Sequence, residues 1–277
     1  MDGGNNRVIL ASDGDFNVGA SSDAEMIRLI EQRRDEGIFL TVLGFGTGNL
    51  QDAKMEQIAD HGTGNFAYID SAHEAQKVLV KEFGGTLHTI AKDVKLQVEF
   101  NPARVQAYRL IGYENRMLAA EDFNDDRKDS GDLGAGHTVT ALYEVIPTGV
   151  DTSTPIRGLD ELRYQPSDQP SDQRVAPRES PEMLFVKLRY KDPNGSRSRL
   201  LSTAVRDLDV VPSSDFTFAA SVAAFGMVLR DSKYCGAADL AAVLRWARSS
   251  VGRDHEGYRR EFVRMVEEAQ RLYDRAL

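Results

Sequence analysis

The stretch "NNRVILASDGDFNVG", residues 5–19, decides how this chain is read. "RVILAS" is a short apolar run of the kind expected of a strand covered on both faces, and "SDGD" follows it as an acidic turn. In open α/β sheets, ligands sit at the carboxyl ends of strands, which is where Asp13 would project. Working outward, residues 7–91 alternate apolar runs with helical patterns, the signature of a parallel sheet layered with helices. Residues 22–36 read as a helix. Ser22 is its N-cap and Glu25 completes a capping box, Met26, Leu29 and Ile30 share a face, and Gly37 ends it. "IFLTVLGFG" is a second strand. "LQDAKMEQIADHG" is a short helix with Met55, Ile58 and Ala59 inward and Gly62 as its stop, and "NFAYID" is a third strand. Ser71 and Glu74 repeat the capping box and open a longer helix bearing Val78, Leu79, Phe83, Leu87 and Ile90.

From residue 93 the period becomes strand-like in "DVKLQVEF", "VQAYRLIGY", "HTVTALYEVI", "LFVKLRY" and "RLLSTAVRDL", which predicts a sandwich-like antiparallel domain. Residues 147–181 hold six of the nine prolines and the tandem "PSDQPSDQ", and read as a mobile excursion. After Pro212 helical patterns return. Tyr258, Phe262, Val266, Ala269 and Tyr273 fall on one face of the last helix, and Phe225 and Trp246 read as core anchors. The expected organisation is therefore a partial Rossmann-like domain over 1–91, a β-rich domain over 92–211 and a helical segment over 212–277.

Composition narrows the function. Acidic residues outnumber basic ones, 43 to 34, and no Lys/Arg-rich block marks a nucleic-acid or anionic-membrane surface. The single cysteine, Cys235, forms no internal disulfide and leaves the compartment open. No basic segment leads into an apolar one at the start, and no apolar run reaches about 18 residues, so neither an export signal nor a membrane span is expected.

Two readings of Asp13 stand side by side. Asp-Gly is an ordinary turn dipeptide whose carboxylate bonds nearby amides. Alternatively, a carboxylate placed at the strand end helps hold a hard cation such as Mg²⁺, which takes about six oxygen ligands and so needs more than this one residue.

The strings "RVILASDGDFNVG", "GFGTGNLQDAKMEQIADHGTGNFAYID", "DVKLQVEFNPARVQAYRLIGYENRMLAAEDFNDD", "DLGAGHTVTALYEVIP" and "FAASVAAFGMVLRDSKYCG" resemble bacterial YfbK-type von Willebrand factor A proteins over nearly the whole chain. That resemblance implies a metal-ion-dependent adhesion site built from an Asp-x-Ser-x-Ser loop, a threonine loop and a final aspartate, which Asp13 matches. The Asp-x-Ser-x-Ser loop would lie on a strand upstream of "VILAS". "SSDAE" at 21–25 lacks the leading aspartate and reads as a helix cap. The chain thus resembles the second half of an A domain together with the regions C-terminal to that domain.

In a sheet ordered 3-2-1-4-5-6, its three strands would be the last three, leaving "RVILA" as an exposed apolar edge. The expectations are a non-enzymatic protein-binding or scaffolding role and a protein ligand engaged through Mg²⁺ or Mn²⁺ in the intact parent, with Asp13 as one ligand. This chain alone is expected to bind metal weakly or not at all. The resemblance implies the cell envelope.

Other candidates are fewer. "AEDFNDDRKDSGDLGAGH" carries Glu121, Asp122, Asp125, Asp126, Asp129 and Asp132 but lacks the EF-hand order of ligands, and reads as a solvated connecting loop. A hydrolase using residues 121–132 is an alternative, as is an assembly module that pairs through the exposed strand. His61, His73, His88, His137 and His255 fall at no zinc-ligand spacing. No P-loop, nucleophile elbow or dinucleotide fingerprint occurs; "GFGTGN" reads as a turn, and Cys235 as a packing residue.

Overall fold

The computed structural model describes residues 6–13, 23–46, 50–113, 117–128, 130–151, 180–193 and 195–276. These form two compact units that interleave in sequence. One comprises 1–97, 118–139 and 187–202, the other 98–117, 140–186 and 203–277. The interleaving arises because β-sheet neighbours come from distant parts of the chain. The expected excursion at 147–181 falls mostly at 152–179, outside the described residues.

The first unit begins with β1 (Asn6–Ser12), α1 (Asp23–Asp35), β2 (Ile38–Phe45), α2 (Asp52–His61) and β3 (Phe66–Ile69). The strands form a parallel sheet in the order β1-β2-β3, with Val8 opposite Leu40, Ser12 opposite Gly44, and Val42 opposite Phe66. Both helices pack on the middle strand. Val42, Met55, Ile58 and Ala59 form the core, with Met26, Ile30, Leu40, Leu50 and Phe66 packed around it. Met55, Ile58 and Ala59 are the inward face read from the sequence. Gly37 ends the first helix turn with φ of +80°, a conformation that costs a Cβ-bearing residue about 1–2 kcal/mol. Ser22, read as the cap of α1, lies outside the described residues.

Two expectations fail here. β1 is not covered on both faces as its apolar run suggested, but lies at the sheet edge, as the strand order implied by the resemblance did: Val8 is 51% and Ile9 40% exposed, and the helices lie on β2. The helix expected to run from Ser71 to Ile90 is broken. Ser71 Oγ does accept the Glu74 amide at 3.1 Å, but α3 (Ala72–Gln76) gives way to a π turn (Lys77–Lys81) and then α4 (Phe83–Leu87). Ile90 lies in the next strand. Gly84 and Gly85 weaken the short α4 that follows, and Gly134 is needed for packing against it: a Cβ on Gly134 would overlap the Gly85 carbonyl.

The β-rich region forms β4 (Thr89–Phe100), β5 (Val105–Ile111), β6 (Gly131–Gly134), β7 (Leu142–Pro147), β8 (Glu182–Lys191) and β9 (Ser198–Arg206). They make a four-stranded sheet in the order β6-β4-β8-β9 and a separate antiparallel pair, β5-β7. The β6-β4 pairing is antiparallel with register shifts between Thr89 and Ala91 and again between Ala91 and Val94. β6 escapes a sequence reading because "GDLG" carries neither alternation nor β-formers.

In the second unit, Phe100 stacks on Tyr108 with ring centroids 4.2 Å apart. Three helices follow: α5 (Ser214–Leu229), α6 (Leu240–Ser249) and α7 (Tyr258–Ala276). Ser213 Oγ accepts the Phe216 amide at 3.1 Å, and Asp239 Oδ1 accepts the Ala242 amide at 2.6 Å, so each helix start is capped by a side chain. Asp254 does the same at the start of α7. Although burial raises its pKa, the amides of Arg260 and Arg259 and the Arg260 guanidinium hold it below the usual carboxylate range.

The helical core joins Ala224, Phe225, Met227, Leu240, Val243, Leu244, Ala247, Val263 and Val266, with Phe262 and Ala269 packed against it. Two further expectations are corrected. Trp246 is 41% exposed rather than a core anchor, since it lies on the outer side of α6 while Val243 and Ala247 fill the inner side. Tyr273 is exposed because α7 has 19 residues and its partner α6 only 10, so the last turns outrun their neighbour.

Candidate functional site

Because β1, β2 and β3 are parallel, their carboxyl ends share one edge. Asp13 follows Ser12 there, Gly46 follows Phe45, and Asp70 follows Ile69. Gly46 has φ of +87°, and a Cβ on it would come 3.9 Å from the Asp13 Cβ. The Tyr68 hydroxyl donates to the Gly46 carbonyl at 2.7 Å and ties the end of β3 to that turn. Asp13 and Asp70 are both exposed. Residues 14–22 and 47–49, which carry the rest of the acidic turn and part of "GFGTGN", lie outside the described residues.

Among the described residues, no group of three or more His, Cys, Asp or Glu side chains is placed to hold a metal. A hard cation needs about six oxygens. The described side chains of this edge, Asp13 and Asp70, supply two carboxylates and by themselves fall short of such a shell.

The acidic segment 121–132 is not the solvated loop expected. Its middle is docked on β4 and β8 by buried cations. Lys95, on β4 and 1% exposed, donates to the Asp125 carbonyl at 2.8 Å, and Lys191, on β8, donates to the Asp126 carbonyl at 2.6 Å. Both ammoniums also hold buried Asp93: Lys95 Nζ lies 3.1 Å from Oδ1, and Lys191 Nζ 2.9 Å from Oδ2. Arg189 reaches Asn124 Oδ1 at 2.9 Å and Ser198 Oγ at 2.8 Å, and its guanidinium lies over the Phe123 ring. Burying ammoniums is costly unless anions and carbonyls replace water, and the segment supplies those carbonyls.

The carboxylates of this segment are also paired. Hydrogen bonds from Arg127 hold Asp125 well below the usual carboxylate range, and those from Ser198 lower Asp126, with Lys191 and Arg189 adding to the effect. Lys128 lies 3.8 Å from Asp122. Asp122, Asp125 and Asp126 thus each face a cation. The buried cluster was missed in the sequence, although "DVK" and "KLRYK" carry its signal as charges two apart, on one face of each strand.

No helix among the described residues is long and apolar enough to cross a membrane. A family model described as "Uncharacterized protein YfbK, C-terminal" matches residues 85–272. The "Uncharacterized protein YfbK" of Escherichia coli (strain K12) is 42% identical over 273 residues, covering 98% of this chain and 46% of that protein. The chain therefore spans about half the length of that relative. A solved von Willebrand factor type A structure from Catenulispora acidiphila aligns at 17% identity with a TM-score of 0.43, covering 94% of this chain and 57% of that one, a likeness too low to argue from. The length of the family match and the identity to the Escherichia coli protein agree: the chain belongs to the YfbK C-terminal family.

Proposed function

We propose that this chain is a non-enzymatic protein-binding or scaffolding module, and that the carboxyl edge of its parallel sheet contributes Asp13 to a Mg²⁺ or Mn²⁺ site completed by other parts of a longer polypeptide and by a carboxylate of the protein partner. The observation that carries this is the position of Asp13, exposed at the end of β1 beside Gly46. The site of action in this reading is the bacterial cell envelope, following the resemblance of the sequence strings.

Titration calorimetry with MgCl₂ and MnCl₂ tests the proposal. A polypeptide of the length of the Escherichia coli relative is expected to bind the ion, and Asp13→Ala to remove that binding. The 277 residues alone are expected to give no resolvable heat. Tight, Asp13-dependent binding by the short chain would overturn the shared-site part, and no binding by the longer polypeptide would overturn the whole.

A second reading is favoured by the edge position of β1 and the exposure of Val8 and Ile9. Edge strands with unpaired amides and apolar side chains template pairing with another chain. In this reading the module assembles through β1. Light scattering of the chain is then expected to show mass rising with concentration, and Val8→Lys to return it to monomer. A strict monomer at high concentration would remove this reading.

A further inference from the structure

We infer that the described residues of 118–134 form a strap latched onto the sheet by a buried ionic key, Asp93 held between Lys95 and Lys191, and that the strap opens as a unit when the key is removed. The geometry is unusual in its charge balance. Two ammoniums share the Asp93 carboxylate, and they are also met by the carbonyls of Asp125 and Asp126 in the strap and by the nearby charge of those residues' carboxylates. Among the described residues, Asp93 Oδ1, Asp126 Oδ1 and Arg189 Nε are buried without a hydrogen-bond partner, Lys95 Nζ bonding Asp93 through Oδ2 at 3.2 Å, so the cluster holds charge at a cost that apolar side chains would avoid.

The key is also tied to the strap through its backbone. The Asp93 amide donates to Asp132 Oδ1 at 3.2 Å, and Ser130 Oγ donates to the Val94 carbonyl at 3.1 Å. Asp93 lies at the second register shift of the β4-β6 pairing with φ of +51°, where the ladder is already interrupted.

Apolar anchoring of the strap is slight. Phe123 is its one buried large apolar side chain among the described residues, while Met117, just before it, and Leu118 are exposed. A segment held by few apolar contacts and several polar ones belongs to the low-stability end of local opening. Removing one partner of a buried ion pair is costly in the closed state, because it leaves uncompensated charge there. Opening the strap returns Lys95, Lys191 and Arg189 to water.

Hydrogen exchange and limited trypsinolysis test this together. Arg127 and Lys128 sit in the strap with side chains 90% and 58% exposed, and their amides donate within the strap, to Asp125 Oδ1 and to the Asp125 carbonyl. Asp93→Asn keeps a residue that tolerates the left-handed backbone. Lys191→Met keeps an unbranched chain and serves if the first variant fails to fold. In either variant, exchange of amides at 118–128 and cleavage after Arg127 are expected to rise about a hundredfold, with β2 amides unchanged. One molar NaCl is expected to leave the wild-type strap closed, since buried pairs are little screened. Unchanged strap protection in the variants, or a loss of protection equal in the strap and β2, would overturn the latch. Opening by salt alone would assign the hold to the surface pairs Arg127–Asp125 and Lys128–Asp122 instead.

Discussion

Gly64→Ala is expected to destabilise the protein by more than about 4 kcal/mol, read from the denaturant midpoint by circular dichroism. The turn between α2 and β3 runs against the backbone of β2: Leu40 donates to the Gly62 carbonyl at 3.0 Å and Val42 to the Asn65 carbonyl at 2.9 Å. A Cβ on Gly64 would overlap the carbonyl of Leu40, which is backbone in the middle strand and has no rotamer by which to move aside. Relief requires parting the turn from β2, and with it the burial of Val42 and Met55. Gly37→Ala is the control. It meets no atom within 4 Å and suffers only the cost of its positive φ, about 1–2 kcal/mol. Equal losses at the two glycines would mean that the turn shifts freely.

Phe225→Ala is expected to cost about 3–5 kcal/mol. Its ring is 7% exposed and meets Phe262 edge-on at 5.5 Å in a core shared by α5, α6 and α7, so truncation leaves a cavity that three helices cannot close together. Trp246→Ala is expected to cost roughly half of that or less, although tryptophan is the larger side chain, because much of its ring already faces water. Urea titrations of both variants check the order. A tryptophan variant less stable than the phenylalanine variant would show that the outer side of α6 carries substantial packing of its own.

The two glycines and the two aromatics show where sequence reading succeeds and where it stops. Gly37 was legible as a helix stop because a C-terminal glycine is a local signal. Gly64 was not, because its requirement comes from Leu40, a strand away. Phe225 and Trp246 are alike in their apolar surroundings along the chain. Only the placement of α7 decides which one is enclosed.

The same division holds for the candidate sites. The run "VILAS" followed by Asp13 determined a strand and an exposed carboxylate at its end, and the alternation of strand and helix determined a parallel sheet, so that Asp13, Gly46 and Asp70 share an edge. Strand period, helix period and caps are properties of neighbouring residues, and they survive any tertiary arrangement. The break after Gln76 and the docking of 121–132 were decided by the tertiary structure alone. The docking depends on partners remote in the chain, the lysines of β4 and β8. An acidic run looks solvated until the fold brings ammoniums beneath it. Whether a charge faces water or a counter-charge is a question of burial, which sequence pattern alone does not encode.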